Sequence, residues 1–411
     1  MRNRLFQISL SFIVMLGVVL GLAVPGSYAF SDEQQLLSEV WRIVDRTYVD
    51  DTFNHQNWWF VRQRSLRQPL PDRDATYDAI QQMLASLDDP FTRLLKPDQY
   101  RSLRTNTSGE LTGVGLQIAK DMETGDLQVI APIEASPADQ AGIQPRDRIM
   151  QIDGRPTRDL TLDEAADQMR GVIGSPVTLT IARDEEPAFD LTLVRDRITL
   201  NPVYADLRIQ SDGSQIGYIR LKQFNANAAA TVADAIAEFE AAPVDGYILD
   251  LRNNPGGLLQ AGIEVAQLWL DEGPIVYTVN RQGVFDTVEA NGESLTDAPL
   301  TVLVNQGTAS ASEILAGALQ DQQRAKLVGE RTFGKGLIQS LFNLSDGSGL
   351  AVTIAKYETP DHHDINRQGI QPDLVVQPIA LNREDFGTDR DPQYRAAVDL
   401  LTHHAVVANA A

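Results

Sequence analysis

Apolar positions divide the chain into three textures. In Glu33–Val49 they fall at Leu36, Leu37, Val40, Ile43 and Val44, which predicts an amphipathic helix. The stretch Thr76–Pro90 repeats the pattern and stops where proline disfavours helix in the residue before it. From about Thr105 the pattern shortens to strand lengths between glycine turns: LTGVGLQIA, DLQVIAPI, DRIMQIDG, PVTLTIAR and AFDLTLVRD. Two short helices, SPADQAG and TLDEAADQMRG, interrupt these strands. After Arg197, apolar strands (QIGYIRL, DGYILDL, PLTVLVN, AKLVGE, GLAVTIAKY) alternate with helical stretches (NAAATVADAIAEFEAA, LLQAGIEVAQLWL, SEILAGALQ). That alternation predicts a sheet covered by helices. The tail from Asp391 reads as a last helix. Trp58, Trp59 and Phe60 are expected in the core of the N-terminal helical region.

The first residues differ from all of these. Arg2 and Arg4 precede an apolar run from Leu5 to Val24, and Ser27-Tyr28-Ala29 supplies small residues suited to cleavage. The segment reads as an export signal cut after Ala29; the alternative is an uncleaved anchor, since the run is nearly long enough to span a bilayer. The mature chain is then expected to be soluble beyond a membrane. The full chain's formal charge of −21 argues against a general nucleic-acid binder. With no cysteine there is neither a disulfide nor a thiol nucleophile.

Residues Gly329–Lys335 spell G-x-x-x-x-G-K, the start of a phosphate-binding loop. The next residue is Gly336, where a Mg²⁺-binding Ser or Thr is needed. The residues after Gly336 read as a strand and the turn SDGSG, where a helix N-terminus should face the phosphates. Lys335 between two glycines has another use. Close packing removes water, desolvation disfavours the ammonium, and a neutral lysine is a general base. The alternative is a solvated loop lysine.

A base needs a nucleophile. Ser310 falls at a small-residue turn between the strand ending at Asn305 and the helix starting at Ala311. There its hydroxyl is exposed, and the following N–H and helix dipole can stabilise an oxyanion. Ser310 and Glu313 also spell a helix capping box. A second strand–turn–helix, GYILDLRNNPGGLLQAG, offers further backbone N–H donors at Gly256 and Gly257. The five histidines include the pair in DHHD, His362 and His363; neighbours on a strand point to opposite faces, which disfavours one shared metal ion.

Taken together, NQGTASASEILAGALQD, GERTFGKGLIQ, LRNNPGGLL, TGVGLQI and SPADQAGIQPRDRIMQIDG resemble the carboxyl-terminal processing, or tail-specific, proteases. NHQNWWFVRQ and LDDPFTRLL are similar to the photosynthetic branch, which trims the C-terminal extension of a photosystem II reaction-centre precursor. The resemblance implies Ser310 as nucleophile, Lys335 as general base, Gln339 as a residue orienting the lysine, and Glu313 as a matching acid of unassigned role. It implies oxyanion donors at Ala311 and at Gly256 or Gly257. The middle module resembles a PDZ domain whose loop Gly113, Val114, Gly115 and Leu116 holds a free C-terminal carboxylate, with Arg170 as a sensor or a plain surface charge.

The expected organisation is α+β and multidomain: a signal over 1–29, a helical region over 30–104, a PDZ-like β-rich module over 105–196, an α/β protease core over 197–380 and a C-terminal helix over 381–411. No metal, nucleotide or other cofactor is implied. The implied partner is a protein substrate held by its free C-terminal tail, in a thylakoid lumen or periplasm. The rival expectation is a non-enzymatic PDZ scaffold that only binds exported C-termini.

Overall fold

The computed structural model of the chain describes residues 30–121, 124–183, 186–241, 244–283, 285–382 and 385–408. The expected export signal lies outside them.

The protease-like half is built on a six-stranded sheet. Its strands run in the order Val203–Ile209, Gln215–Leu221, Gly246–Asp250, Leu300–Val304, Ala325–Gly329 and Leu374–Val375; the first pair is antiparallel and the rest are parallel. Gly246–Asp250 and Leu300–Val304 are buried along their whole length, as central parallel strands covered on both faces must be. Side chains alternate between two cores. Tyr247, Leu249, Val302 and Val304 pack under the helices Ala228–Phe239, Leu259–Gln267 and Ala311–Asp321. Ile248 and Leu303 point the other way, onto Tyr394, Ala397 and Leu401 of the helix Pro392–Ala408. Ala311–Asp321 is buried on every side from Ala311 to Leu319, so the turn entering it is held by surrounding structure.

A second, antiparallel sheet contains Arg93–Leu95, Gly349–Glu358, Pro274–Asn280, Phe285–Glu289 and Leu337–Asn343. The hairpin of Leu337–Asn343 and Gly349–Glu358 is the one expected after Gly336. The helices Asp32–Thr47, Trp58–Leu66 and Arg73–Ala85 dock on this sheet, and Leu36, Leu37, Ile80 and Met83 share a core with Leu344, Leu350 and Val352. Burying each such side chain contributes about 1.5–3 kcal/mol. The helical region therefore shares both a core and a strand, Arg93–Leu95, with the protease-like half.

The expectation for the aromatic trio is corrected. Trp58 is buried and stacks on Phe53 with ring centroids 5.4 Å apart, but Trp59 and Phe60 are 53% and 62% exposed. They begin the helix Trp58–Leu66 on its outer side and pack edge-to-face on each other.

The middle module is a separate six-stranded sheet, Leu116–Lys120, Leu127–Pro132, Arg148–Ile152, Pro176–Ala182 and Phe189–Val194 in order, with Arg155–Pro156 beside Arg148–Ile152. Leu116–Lys120 lies at one edge. A two-stranded ribbon, Glu110–Gly113 with Asp196–Thr199, closes the module where the chain enters and leaves it.

Candidate active site

Ser310 ends the turn after Leu300–Val304 with φ +59° and ψ −119°, a conformation a serine adopts only when its surroundings impose it. The imposing contacts come from the Asp250–Gly257 turn. Ala309 N–H donates to the Asn254 carbonyl at 3.0 Å, Ser312 Oγ donates to the same oxygen at 3.0 Å, and Thr308 Oγ1 donates to the Leu251 carbonyl at 2.9 Å. Gly256 sits against the serine so closely that a Cβ there would lie 2.7 Å from Ala309 O and 2.9 Å from Ser310 Cβ.

The Ser-x-x-Glu capping box forms only by half. Glu313 accepts the Ser310 N–H at 2.9 Å, but the Glu313 N–H bonds the Ser310 carbonyl oxygen, and the serine hydroxyl makes no cap bond. The serine instead lines a cleft of about 410 Å³ with Lys335, Gly256, Gly257, Gln339 and Phe91. A cleft of about 660 Å³ adjoins this one at Arg93 and Leu103, and one of about 740 Å³ lies away from it beside Tyr204 and Phe386; neither contains Ser310 or Lys335.

Lys335 arrives from the other side. The loop after Ala325–Gly329 passes directly into the strand Leu337–Asn343 with no helix, so the phosphate-loop geometry is not built. Gly334, at φ +90°, has no room for a side chain: a Cβ would stand 2.9 Å from Gly369 N. Burial pushes the Lys335 ammonium below the usual lysine range, and the charge of Arg93 pushes the same way; Asp89 and Glu313 oppose both. Among the described residues the Nζ has no hydrogen-bond partner. It lies over the ring of Phe91, 4.9 Å from the centroid.

Two buried groups join the serine turn to the lysine loop. Glu313 is fully buried and accepts four hydrogen bonds: from Ser310 N–H (2.9 Å), Lys335 N–H (2.8 Å), Gly334 N–H (2.7 Å) and Thr332 Oγ1 (2.5 Å). The Tyr357 hydroxyl lies between the carbonyl oxygens of Ser310, at 3.2 Å, and Lys335. Burial raises its pKa well above the ordinary tyrosine value, so it remains a neutral donor. Sequence alone does not single out Tyr357. Its only signal there is an aromatic near the end of the apolar strand GLAVTIAKY.

The remaining expected residues divide. Among the described residues the N–H groups of Ala311 and Gly257 meet no acceptor in the chain, while that of Gly256 is taken by Asn254 Oδ1 at 2.9 Å. Gln339 lines the cleft but does not bond Lys335. Strand register places it opposite Thr353, and its amide donates there at 3.4 Å. In the middle module the Gly113–Leu116 loop carries positive φ at Gly113 and Gly115, and the N–H groups of Val114 and Gly115 meet no acceptor among the described residues. Arg170 packs beside Gly113 and donates to Asp167 at 2.9 Å. His362 stacks on Tyr277 and bonds Glu358, whereas His363 faces Asp321, so the pair diverges.

A helix-covered, mostly parallel sheet with a strained serine turn, a desolvated lysine in the same cleft and an inserted β module describes a class of serine peptidases. The sequence pattern of peptidase family S41 matches residues 215–376, that of the PDZ domain matches residues 128–183, and the chain belongs to the carboxyl-terminal-processing proteases of family S41. It is 56% identical over 411 residues to a carboxyl-terminal-processing protease of Synechocystis sp., covering 99% of this chain and 96% of that protein. It is 48% identical to the chloroplastic carboxyl-terminal-processing peptidase 2 of Arabidopsis thaliana, covering 85% of this chain and 70% of that one. Among solved structures, a photosystem II D1 C-terminal processing protease matches with a TM-score of 0.58 and 42% identity, covering 89% of this chain and all of that one.

Proposed function

We propose that this serine peptidase works through a Ser310–Lys335 dyad and removes a C-terminal extension from exported proteins, in particular a photosystem II reaction-centre precursor. The observation that carries the dyad is the carboxylate of Glu313, which bonds the backbone of both residues at once while both line one cleft. The neutral amine of Lys335 takes the Ser310 proton as Oγ attacks the scissile carbonyl. Ala311 and Gly257, whose N–H groups are uncommitted, hold the oxyanion. The ammonium then protonates the leaving amine, and water, deprotonated by the same lysine, hydrolyses the acyl-enzyme. Glu313 and Tyr357 position; Gln339 shapes the cleft from the strand beside the lysine.

Substrate selection falls to the PDZ domain. A peptide C-terminus adds as a strand along the free edge Leu116–Lys120, its carboxylate on the N–H groups of the Gly113–Leu116 loop and beside Arg170. The precursor assignment is supported by the likeness to the cyanobacterial and chloroplastic proteins and to the D1-processing structure. On this reading the mature chain works in a thylakoid lumen or periplasm after loss of residues 1–29.

The test is cleavage of tail peptides bearing free or amidated C-termini. Ser310→Ala, Lys335→Ala and Lys335→Arg should each lose activity by on the order of 10⁴-fold with folding intact, since arginine cannot deprotonate. Amidation should raise KM. An active Lys335→Arg variant removes the base assignment, and tail binding without cleavage in the parent chain leaves only the scaffold reading.

A further inference from the structure

Lys335 comes from the protease core, but the wall it leans on does not. Phe91 belongs to the turn Asp89–Arg93, between the last N-terminal helix and the strand Arg93–Leu95. The turn is clamped to the core sheet. Asp89 accepts hydrogen bonds from Phe91 N–H (2.9 Å), Thr92 Oγ1 (2.7 Å) and Thr353 Oγ1 (2.7 Å), and Thr92 Oγ1 accepts from Thr353 N–H at 3.0 Å. Thr353 is also the residue to which Gln339 donates, so the lysine's own hairpin holds the turn. Phe91 and Arg93 both line the cleft.

We propose that Phe91 is a positioning residue for the base: its ring face seats the Lys335 Nζ and fixes where that nitrogen stands relative to Ser310. The inference rests on the reading of Lys335 as general base. An aromatic face attracts an ammonium and has little hold on a neutral amine. The seat therefore acts most strongly once Lys335 has taken the serine proton, when the cation must be kept in place for the leaving amine. An aliphatic side chain of similar size keeps water out but gives no such hold. The other charged or titratable groups facing the lysine are Arg93 and Asp89 on the same turn, Glu313 on the helix Ala311–Asp321, and Tyr357 on the strand Gly349–Glu358. The N-terminal helical region thus supplies a wall of the active site.

The experiment measures kcat and KM of the full mature chain against pH, on a tail peptide with a free C-terminus. Phe91→Leu should lower plateau kcat by on the order of tenfold, leave KM within about twofold, and move the acid limb to lower pH, because the ammonium loses a stabilising partner. Phe91→Tyr should restore both. Arg93→Gln should move the acid limb to higher pH by removing a repelling charge. Where Leu lowers the melting temperature, Phe91→Met repeats the test. Parental kcat and acid limb in both Leu and Met variants, or a Tyr variant no better than Leu, overturns the proposal. If Lys335→Ala is inactive while Phe91→Leu is unchanged, this inference alone fails; an active Lys335→Ala variant fails the base assignment beneath it.

Discussion

The substitution Glu313→Gln tests whether one buried carboxylate assembles the site. In the parent, each oxygen accepts from two donors: Oε2 from the N–H groups of Ser310 and Lys335, Oε1 from Gly334 N–H and Thr332 Oγ1. A glutamine has one oxygen to offer, so its NH₂ must face one of these pairs. Facing Ser310 and Lys335, it opposes two N–H donors. Facing Thr332 and Gly334, it gains an acceptor in the threonine hydroxyl but still opposes the Gly334 N–H. Hydrogen bonds to a charged group contribute about 1.5–3 kcal/mol each, so losing about two at a fully buried position costs about 3–6 kcal/mol. Calorimetric melting should show the loss, at about 2–4 °C per kcal/mol for units of this size. In turnover, kcat should fall on the order of 10²-fold as the serine turn and lysine loop separate. Electrostatics predicts a shift that disruption alone does not. Glu313 raises the Lys335 pKa, so removing its charge should move the acid limb of kcat/KM to lower pH. A Gln variant with parental melting and kcat, or with an acid limb moved upward, refutes the assignment.

Lys335→Met should abolish cleavage yet raise the melting temperature at neutral pH. The folded lysine pKa lies below its unfolded value, so the charged amine destabilises the fold below the folded pKa, and stability recovers as pH rises towards the unfolded value. The gain over the parent should therefore shrink in alkaline buffer, and a flat difference from about pH 7 to 10 counts against desolvation. Gly256→Ala, at φ +93° with its new Cβ only 2.7 Å from Ala309 O, should displace the serine turn, cost about 1–3 kcal/mol and reduce kcat far more than it alters KM. Unchanged kinetics there would mean that the two turns move independently. Asp391→Ala removes a buried partner of Arg252 (2.7 Å), leaving that guanidinium with Asp250 and Gln393; about 3–5 kcal/mol of stability should be lost in a melting experiment.

Much of this architecture could be read from the sequence because its signals are local. Near-continuous apolar runs such as YILDL and LTVLV mark central parallel strands, and the SDGSG turn rules out a phosphate-loop helix after Lys335. The elements that escaped are set by tertiary partners. The strand Pro274–Asn280 carries mixed burial, the turn that follows it is marked only by Asn280 and Gly283, and the helix Pro97–Ser108 has few apolar residues. Residue type places Trp59 and Phe60 inside, yet in the first turn of their helix it is Trp58 and Val61 that face the core. Ser310 and Glu313 show the deeper limit. Their spacing is that of a capping box, and half of one is present. Which half forms depends on whether the turn is forced to positive φ, and that is dictated by the close approach of Gly256, some fifty residues away in sequence. Glu313 likewise gives no sign in the sequence that two of its four donors come from Gly334 and Lys335, or that a third is the Thr332 hydroxyl. The motif names the candidate residues; the chain's own long-range contacts decide that a serine at a helix start keeps its hydroxyl out of the cap and in the cleft.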